Sequence, residues 1–302
     1  MRWPDSVGPR LGALNHRGGA NQVLREDIIP SLAGAYVLLL LAWQKRRGVF
    51  RESIFADAPA RTGELTLIDL LFGMILMFGG PMFVAALAQS RWGMPETPAE
   101  LLRWTVLAEL GMLPAVGLVC IRVHQSIEGG LRGFGFRLDR FGTRLATAMR
   151  VMLFVVPMTF MMLMAVGALW KLLVADTPAV GHPLLRAIRD EPSQVTRIGL
   201  IASAVIVAPI FEEFFFRGLI QTAMRNSGSR PGRWPVIVAT STLFALVHWG
   251  SVSPPALPGL FVLGMGLGYV YERTGALWAS MLLHLMFNAA NIAVVLSGLV
   301  SG

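Results

Sequence analysis

Polar and apolar residues alternate along this chain in blocks rather than singly. Runs dominated by Leu, Ile, Val, Phe, Met and Ala are separated by short stretches rich in Arg, Asp, Glu, Gly and Pro. A helix rises about 1.5 Å per residue, so about 20 apolar residues cross a hydrocarbon core of about 30 Å. Eight runs meet or approach that length: Asp27 to Trp43, Leu67 to Gln89, Leu101 to Ile121, Ala146 to Val174, Ile198 to Met224, Val236 to Trp249, Pro258 to Tyr271, and Ala276 to Val300. The sixth and seventh are short. Lipid does not tolerate uncovered backbone polar groups, so these two are expected inside the bundle or a turn longer than the pattern marks. The predicted fold class is all-α, a polytopic integral membrane bundle of about eight transmembrane helices.

Composition agrees with lipid as the main solvent. Of 302 residues, 54% are hydrophobic and only 15% charged, and the mean hydropathy is +0.60, well outside the balance of a soluble domain. Residues 1–26 read as a polar basic tail carrying Arg2, Arg10, Arg17 and Arg25, with no apolar run long enough for a signal peptide. The first span is followed by Gln44, Lys45, Arg46 and Arg47, a stop-transfer pattern that marks it as an anchor. The chain therefore divides into the tail, three spans over 27–121, a basic connection over 122–145 and a five-span core over 146–302. Cys120 is the only cysteine and closes no intrachain disulfide.

A net charge of +8 and a pI of about 10.9 would suit nucleic acid, but the basic residues are scattered through the connections between apolar spans. Anionic lipid is the expected partner, and nucleic acid is not. Fifteen of the 26 basic residues fall in the odd-numbered connections and at their helix ends. The positive-inside rule then places those connections in the cytoplasm of a multi-pass cell-membrane protein, with both termini outside.

Ionisable groups at membrane depth are the candidate chemistry, because each costs about 2.5 to 3.5 kcal/mol on insertion scales. The fifth span carries Glu212, Glu213 and Arg217 among phenylalanines. Glu213 and Arg217 are four residues apart, so they share a helical face and can pair. Glu212 points about 100° away and lacks that partner. An unpaired carboxylate in an apolar site has a raised pKa and can act as a general base. The plain alternative is a buried structural network that fixes helix packing.

The sixth span ends with Phe244 and His248, and the eighth carries His284 and Asn288, each pair spaced i, i+4. Counted from the face shared by the fifth and seventh connections, Glu212 and His248 lie about 18 Å deep and His284 about 12 Å deep. These groups can meet near mid-membrane. A carboxylate, two imidazoles and a carboxamide at one level supply a base, a proton shuttle and oxyanion donors, the parts of a hydrolytic site. Glu109 in the third span is a further carboxylate at membrane depth, expected to partner a basic residue or sit in the bundle interior rather than face this site. Gly264 and Gly268 predict a close helix crossing. His16, His124 and His182 fall in connections, where solvation is the default.

Glu-Glu-x-x-x-Arg, then Phe-x-x-x-His, then His-x-x-x-Asn, on successive late helices, resembles the CAAX-protease and bacteriocin-processing family of intramembrane proteases, which includes the Ras-converting enzyme. The resemblance covers roughly Arg132 to Asn291, and Gly133 to Arg137 looks like the basic segment that often precedes its core. It implies an intramembrane endopeptidase acting on membrane-presented substrates, CAAX-type or leader-bearing. It implies further that Glu212 and His248 activate a water, that His284 and Asn288 stabilise the tetrahedral oxyanion, and that Glu213, Arg217 and Phe244 support the site or hold substrate. Zinc on Glu212, His248 and His284 is the competing arrangement, since two histidines and a glutamate can form a catalytic zinc set. No His-Glu-x-x-His motif occurs, and a zinc-bound Glu212 is no longer free as the base, so a metal-free site is favoured. The other functional classes open to the pattern are a proton-coupled transporter and a catalytically inactive immunity or scaffold protein.

Overall fold

The structure is a computed structural model that describes residues 51–59, 63, 65–174, 183–227 and 231–297, with isolated positions between 35 and 48. It is an all-α bundle. Its principal helices are α1 (Leu67–Trp92), α2 (Pro98–Ser126), α3 (Phe141–Leu173), α4 (Gln194–Arg225), α5 (Arg233–Val247), α6 (Leu257–Thr274) and α7 (Leu277–Leu296). Five of these, α1 to α4 and α7, are long and apolar enough to cross a membrane, which makes the chain a multi-pass integral membrane protein. Five of the expected eight spans reach crossing length among the described residues. The first predicted span lies largely outside the described residues. The sixth and seventh correspond to α5 and α6, which are only 15 and 18 residues long.

Local sequence sets the helix starts. Thr66 and Thr97 each accept from the backbone N–H three residues on, while Asp69 and Glu100 bond back to the cap, closing two capping boxes. Proline at the first position of α2 reinforces the second. These caps begin α2 at Pro98, three residues before the apolar run itself. Along α1, Ile68, Leu71, Phe72, Ile75, Met82 and Phe83 are all exposed at helical spacing, the face turned to lipid.

Burial separates an outer layer from an inner one. The most apolar windows of α1, α2 and α3 are 11%, 17% and 6% buried, against 39% and 33% for α4 and α7. The axis of the bundle is α6, with eleven of its eighteen residues buried. Two glycine faces let it sit there. A Cβ on Gly264 would lie 3.0 Å from Ser241 Cβ on α5, and one on Gly266 would lie 2.3 Å from Val155 Cγ2 on α3. The crossing expected from Gly264 and Gly268 is thus present against α5, with a second on the opposite face that the pattern did not mark. This packing is how a helix of only 18 residues is shielded from lipid.

Two polar staples hold the ends of the inner helices. Within 122–145, Phe134 is fully buried, and its ring fills the space where a side chain on Gly218 would stand. The Leu277 amide donates to Gly135 O at 2.9 Å, Trp278 Nε1 donates to Arg137 O at 2.7 Å, and Arg144 Nε donates to Thr274 O at 3.1 Å. Asp139 accepts from both Arg137 and Arg144, which hold its carboxyl well below the usual carboxylate range. In the second staple, buried Glu272 accepts from Gln221 Nε2 at 3.0 Å and pairs with Arg233 Nε at 3.1 Å. Arg233 Nη1 in turn donates to Phe55 O at 2.6 Å, fixing the segment before α1 against the core.

Candidate active site

The three motifs are carried by α4, by the C-terminal end of α5 and by α7. Glu213 and Arg217 form the predicted pair, with Nε 3.2 Å from Oε2 and neither side chain exposed. The contact is electrostatic, since Arg217 Nε makes no aligned hydrogen bond. The guanidinium lies 5.0 Å from the centre of the Phe244 ring, which supplies cation–π attraction where water is absent.

Glu213 has two further partners that periodicity did not reveal. Ser280 Oγ donates to its Oε2, and His284 Nδ1 lies 3.1 Å from its Oε1. With Glu213 as the carboxylate partner of Arg217, its oxygens only accept, which assigns the proton of this hydrogen bond to His284 Nδ1. The second nitrogen, Nε2, then carries the lone pair. It stands 3.8 Å from Glu212 Oε2.

His248 is fixed in the same sense by a different acceptor. It lies just past the last helical residue, Val247, and its Nδ1 is 2.7 Å from Phe244 O. A carbonyl only accepts, so Nδ1 holds the proton and Nε2 is free. That Nε2 is 4.0 Å from the same Glu212 Oε2. Phe244 is fully buried between the two imidazoles, its centroid 4.8 Å from His248 and 5.8 Å from His284. One carboxylate oxygen therefore faces two imidazole nitrogens whose tautomers are set from behind.

Asn288 reaches the site by a less obvious route. Residues Ser203–Val207 of α4 form a π turn, in which Ala208 N–H bonds Ser203 O five residues back. The next bond in that pattern would come to Ala204 O from residue 209, which is proline and has no N–H. Asn288 Nδ2 donates to this carbonyl instead, at 2.9 Å. One amide hydrogen is thereby used and the other remains to face the cavity. Pro209 was the sequence signal for this arrangement.

Glu212, His248, His284 and Asn288 all line one chamber of about 470 Å³, whose remaining walls are mostly Phe, Leu, Met and Ala. Glu213 and Arg217 lie behind it. The C-terminal five helices do not enclose this chamber alone: Met77 and Phe78 of α1 and Thr105, Glu109 and Met112 of α2 complete the wall. The N-terminal spans are part of the site because the inner helices leave that side uncovered. Glu109 does reach the chamber, but its partner is Ser203 Oγ and not a basic residue. His124 ends α2 in an exposed position, while His16 and His182 lie outside the described residues.

A polar cluster within the apolar bundle is backed by a buried ion pair and opens on an apolar chamber, and its carboxylate, imidazole and carboxamide groups are the parts that a hydrolytic site requires. Residues 194–290 match the family model described as type II CAAX prenyl endopeptidase, Rce1-like, so the resemblance carried by the three motifs holds over the segment that bears the site, about a third of the chain. No curated protein and no solved structure matched the chain.

Proposed function

We propose that the chain is an intramembrane endopeptidase that hydrolyses peptides presented from the membrane, with a water held between Glu212 and His248 Nε2 as the nucleophile. The observation that carries this reading is the convergence of Glu212 Oε2 on His248 Nε2 and His284 Nε2, at 4.0 and 3.8 Å. Water oxygen attacks the scissile carbonyl carbon as one of its protons passes to Glu212 or to His248 Nε2. The oxyanion forms beside the remaining Asn288 N–H, and His284 joins it as a donor when its Nε2 has taken a proton from solvent before the attack. The captured proton then moves to the amine nitrogen as the C–N bond breaks.

Zinc is the competing reading. Imidazoles anchored through Nδ1 are also how zinc ligands are oriented, so anchoring alone does not separate the two. Spacing does. Ligands at about 2.0 to 2.1 Å on tetrahedral corners stand about 3.3 Å apart, and the separations here are 3.8 and 4.0 Å. No three His, Cys, Asp or Glu groups among the described residues are grouped to hold a metal ion. These separations are wider than a zinc ion would hold and support a hydrogen-bonded water between the groups. A transport path would space ionisable groups across the bilayer, whereas three of them meet here within 4.0 Å.

The test is incubation of purified protein with a peptide library in detergent, with products identified by mass spectrometry. Cleavage by wild type and none by Glu212→Gln supports the reading. Equal cleavage by both sinks it.

A further inference from the structure

Glu109 is the second carboxylate in the chamber, and the mechanism above does not use it. It enters from α2, and among the described residues its hydrogen-bond partner is the hydroxyl of buried Ser203. No Lys or Arg is among the residues that line the chamber. A carboxylate in a mostly apolar cavity calls for a counter-charge, and the fold supplies none from its own described residues. What remains to bring one is the molecule that fills the chamber.

Its distance from the water site follows from α4. Ser203 and Glu212 both line the chamber nine residues apart, about 13 Å of helix rise. An extended peptide advances about 3.3 to 3.6 Å per residue, so the group opposite Glu109 is three or four residues from the cleaved bond. Resting on the endopeptidase reading of the same chamber, we propose that Glu109, oriented by Ser203, is a specificity-determining residue. It selects substrates carrying a cationic group, a Lys or Arg side chain or a free amino terminus, three or four residues from the scissile bond. A carboxylate at that place meets Glu109 with no Lys or Arg in the chamber lining to compensate and is rejected by repulsion.

The experiment uses the full-length protein and hydrophobic nonapeptides, acetylated and amidated, each with a single Lys, Gln or Glu at successive positions. A parallel set with a free amino terminus separates the two sources of cation. The readout is the ratio of kcat/KM for the Lys peptide to that for its Gln counterpart, in wild type and in Glu109→Gln. A charge-assisted contact predicts that wild type prefers Lys by about tenfold or more at one register, three or four residues from the cut, and that Glu109→Gln erases the preference. Ser203→Ala, which removes the orienting hydroxyl, weakens it. Glu109→Lys moves the preference to the Glu peptide. A Lys-to-Gln ratio that is the same in wild type and Glu109→Gln overturns the proposal.

Equilibrium binding of the same peptides to the Glu212→Gln protein gives the answer without turnover. Lys-selective binding that depends on Glu109, where wild type cleaves none of the same peptides, upholds the cation site and removes the endopeptidase reading. Binding indifferent to Lys, Gln and Glu overturns the cation site whatever the turnover shows.

Discussion

His284 Nδ1 lies 3.1 Å from Glu213 Oε1, on the side of the ring turned away from the chamber. The contact does for His284 what the Phe244 carbonyl does for His248, leaving a free Nε2 on the chamber side of each ring. It also makes the two adjacent glutamates different in kind. Glu213 is a buried orienting charge, and Glu212 is the group open to water and substrate.

Glu212→Gln is expected to cost at least about a hundredfold in kcat, the scale of a lost general base. Its side chain is 30% exposed and has no aligned hydrogen bond among the described residues. The melting temperature in detergent should therefore match wild type. A variant that melts normally and still turns over would remove Glu212 from the chemistry.

Arg217→Ala should behave in the opposite way and lose stability together with activity. It leaves Glu213 charged with only Ser280 and His284 as partners in a site without water access. Breaking a buried pair in this manner costs about 3 to 5 kcal/mol. Denaturation in mixed micelles reads the loss, and a wild-type transition would contradict the burial of the pair.

Asn288→Ala should cost about 1 to 3 kcal/mol, because the Ala204 carbonyl is left without its donor. In a Pro209→Ala background, residue 209 regains an N–H that can serve that carbonyl. The stability cost of Asn288→Ala should then shrink, while its cost in kcat, about 10² to 10³ for a lost oxyanion donor, stays. A double-mutant cycle separates the two effects. Additive stability losses would show that the π turn does not create the demand for Asn288.

Activity should survive treatment with chelator, and active protein should contain less than one zinc per chain. The expectation rests on the separations of 3.8 and 4.0 Å between Glu212 and the imidazoles. Stoichiometric zinc, with activity lost on its removal and restored on its return, would replace the water-only mechanism at the same three residues.

Asp139 gives the protein a predictable acid limb. Its folded pKa is depressed by Arg137 and Arg144, so its contribution to stability is complete above the unfolded value of about 4 and is lost as pH falls towards the folded value. Wild type and Asp139→Asn should differ most in melting temperature near neutral pH and converge progressively below about pH 4. A difference that widens on acidification would reverse the sign and remove this staple from the account.

Much of the site was legible because its motifs are spaced at one helical turn. That spacing placed Glu213 with Arg217, Phe244 with His248 and His284 with Asn288 before any tertiary contact was known. Periodicity defines the face of a helix but not what the face meets. Ser280 is one turn before His284, yet its bond to Glu213 joins residues 67 apart in the chain. Glu109 meets Ser203 across 94 residues, and nothing local to either announces the other. The walls given by α1 and α2 were hidden for the same reason. Helix length alone does not mark α6 as a crossing because glycine replaces bulk there: α6 is protected by close neighbours and so has no need of the apolar length from which a crossing is read.

The π turn at Ser203–Val207 also governs how α4 tolerates a change in its length. A π turn holds about one residue more than the α-helical turn it replaces. Deleting a single residue there would let the helix close into regular α geometry, with everything downstream keeping its place and azimuth. The two carboxylates would still face as they do now. The same deletion at any point between Ala208 and Glu212 would swing Glu212 by about 100° away from the imidazoles. Reading frame along this helix is thus elastic at Ser203–Val207 and fixed over the regular turns of Ala208–Glu213, before a second π stretch at Phe214–Gln221. The elastic segment is also the one that supplies the carbonyl for Asn288, so a shortened α4 would keep Glu212 in place and lose the anchor of Asn288.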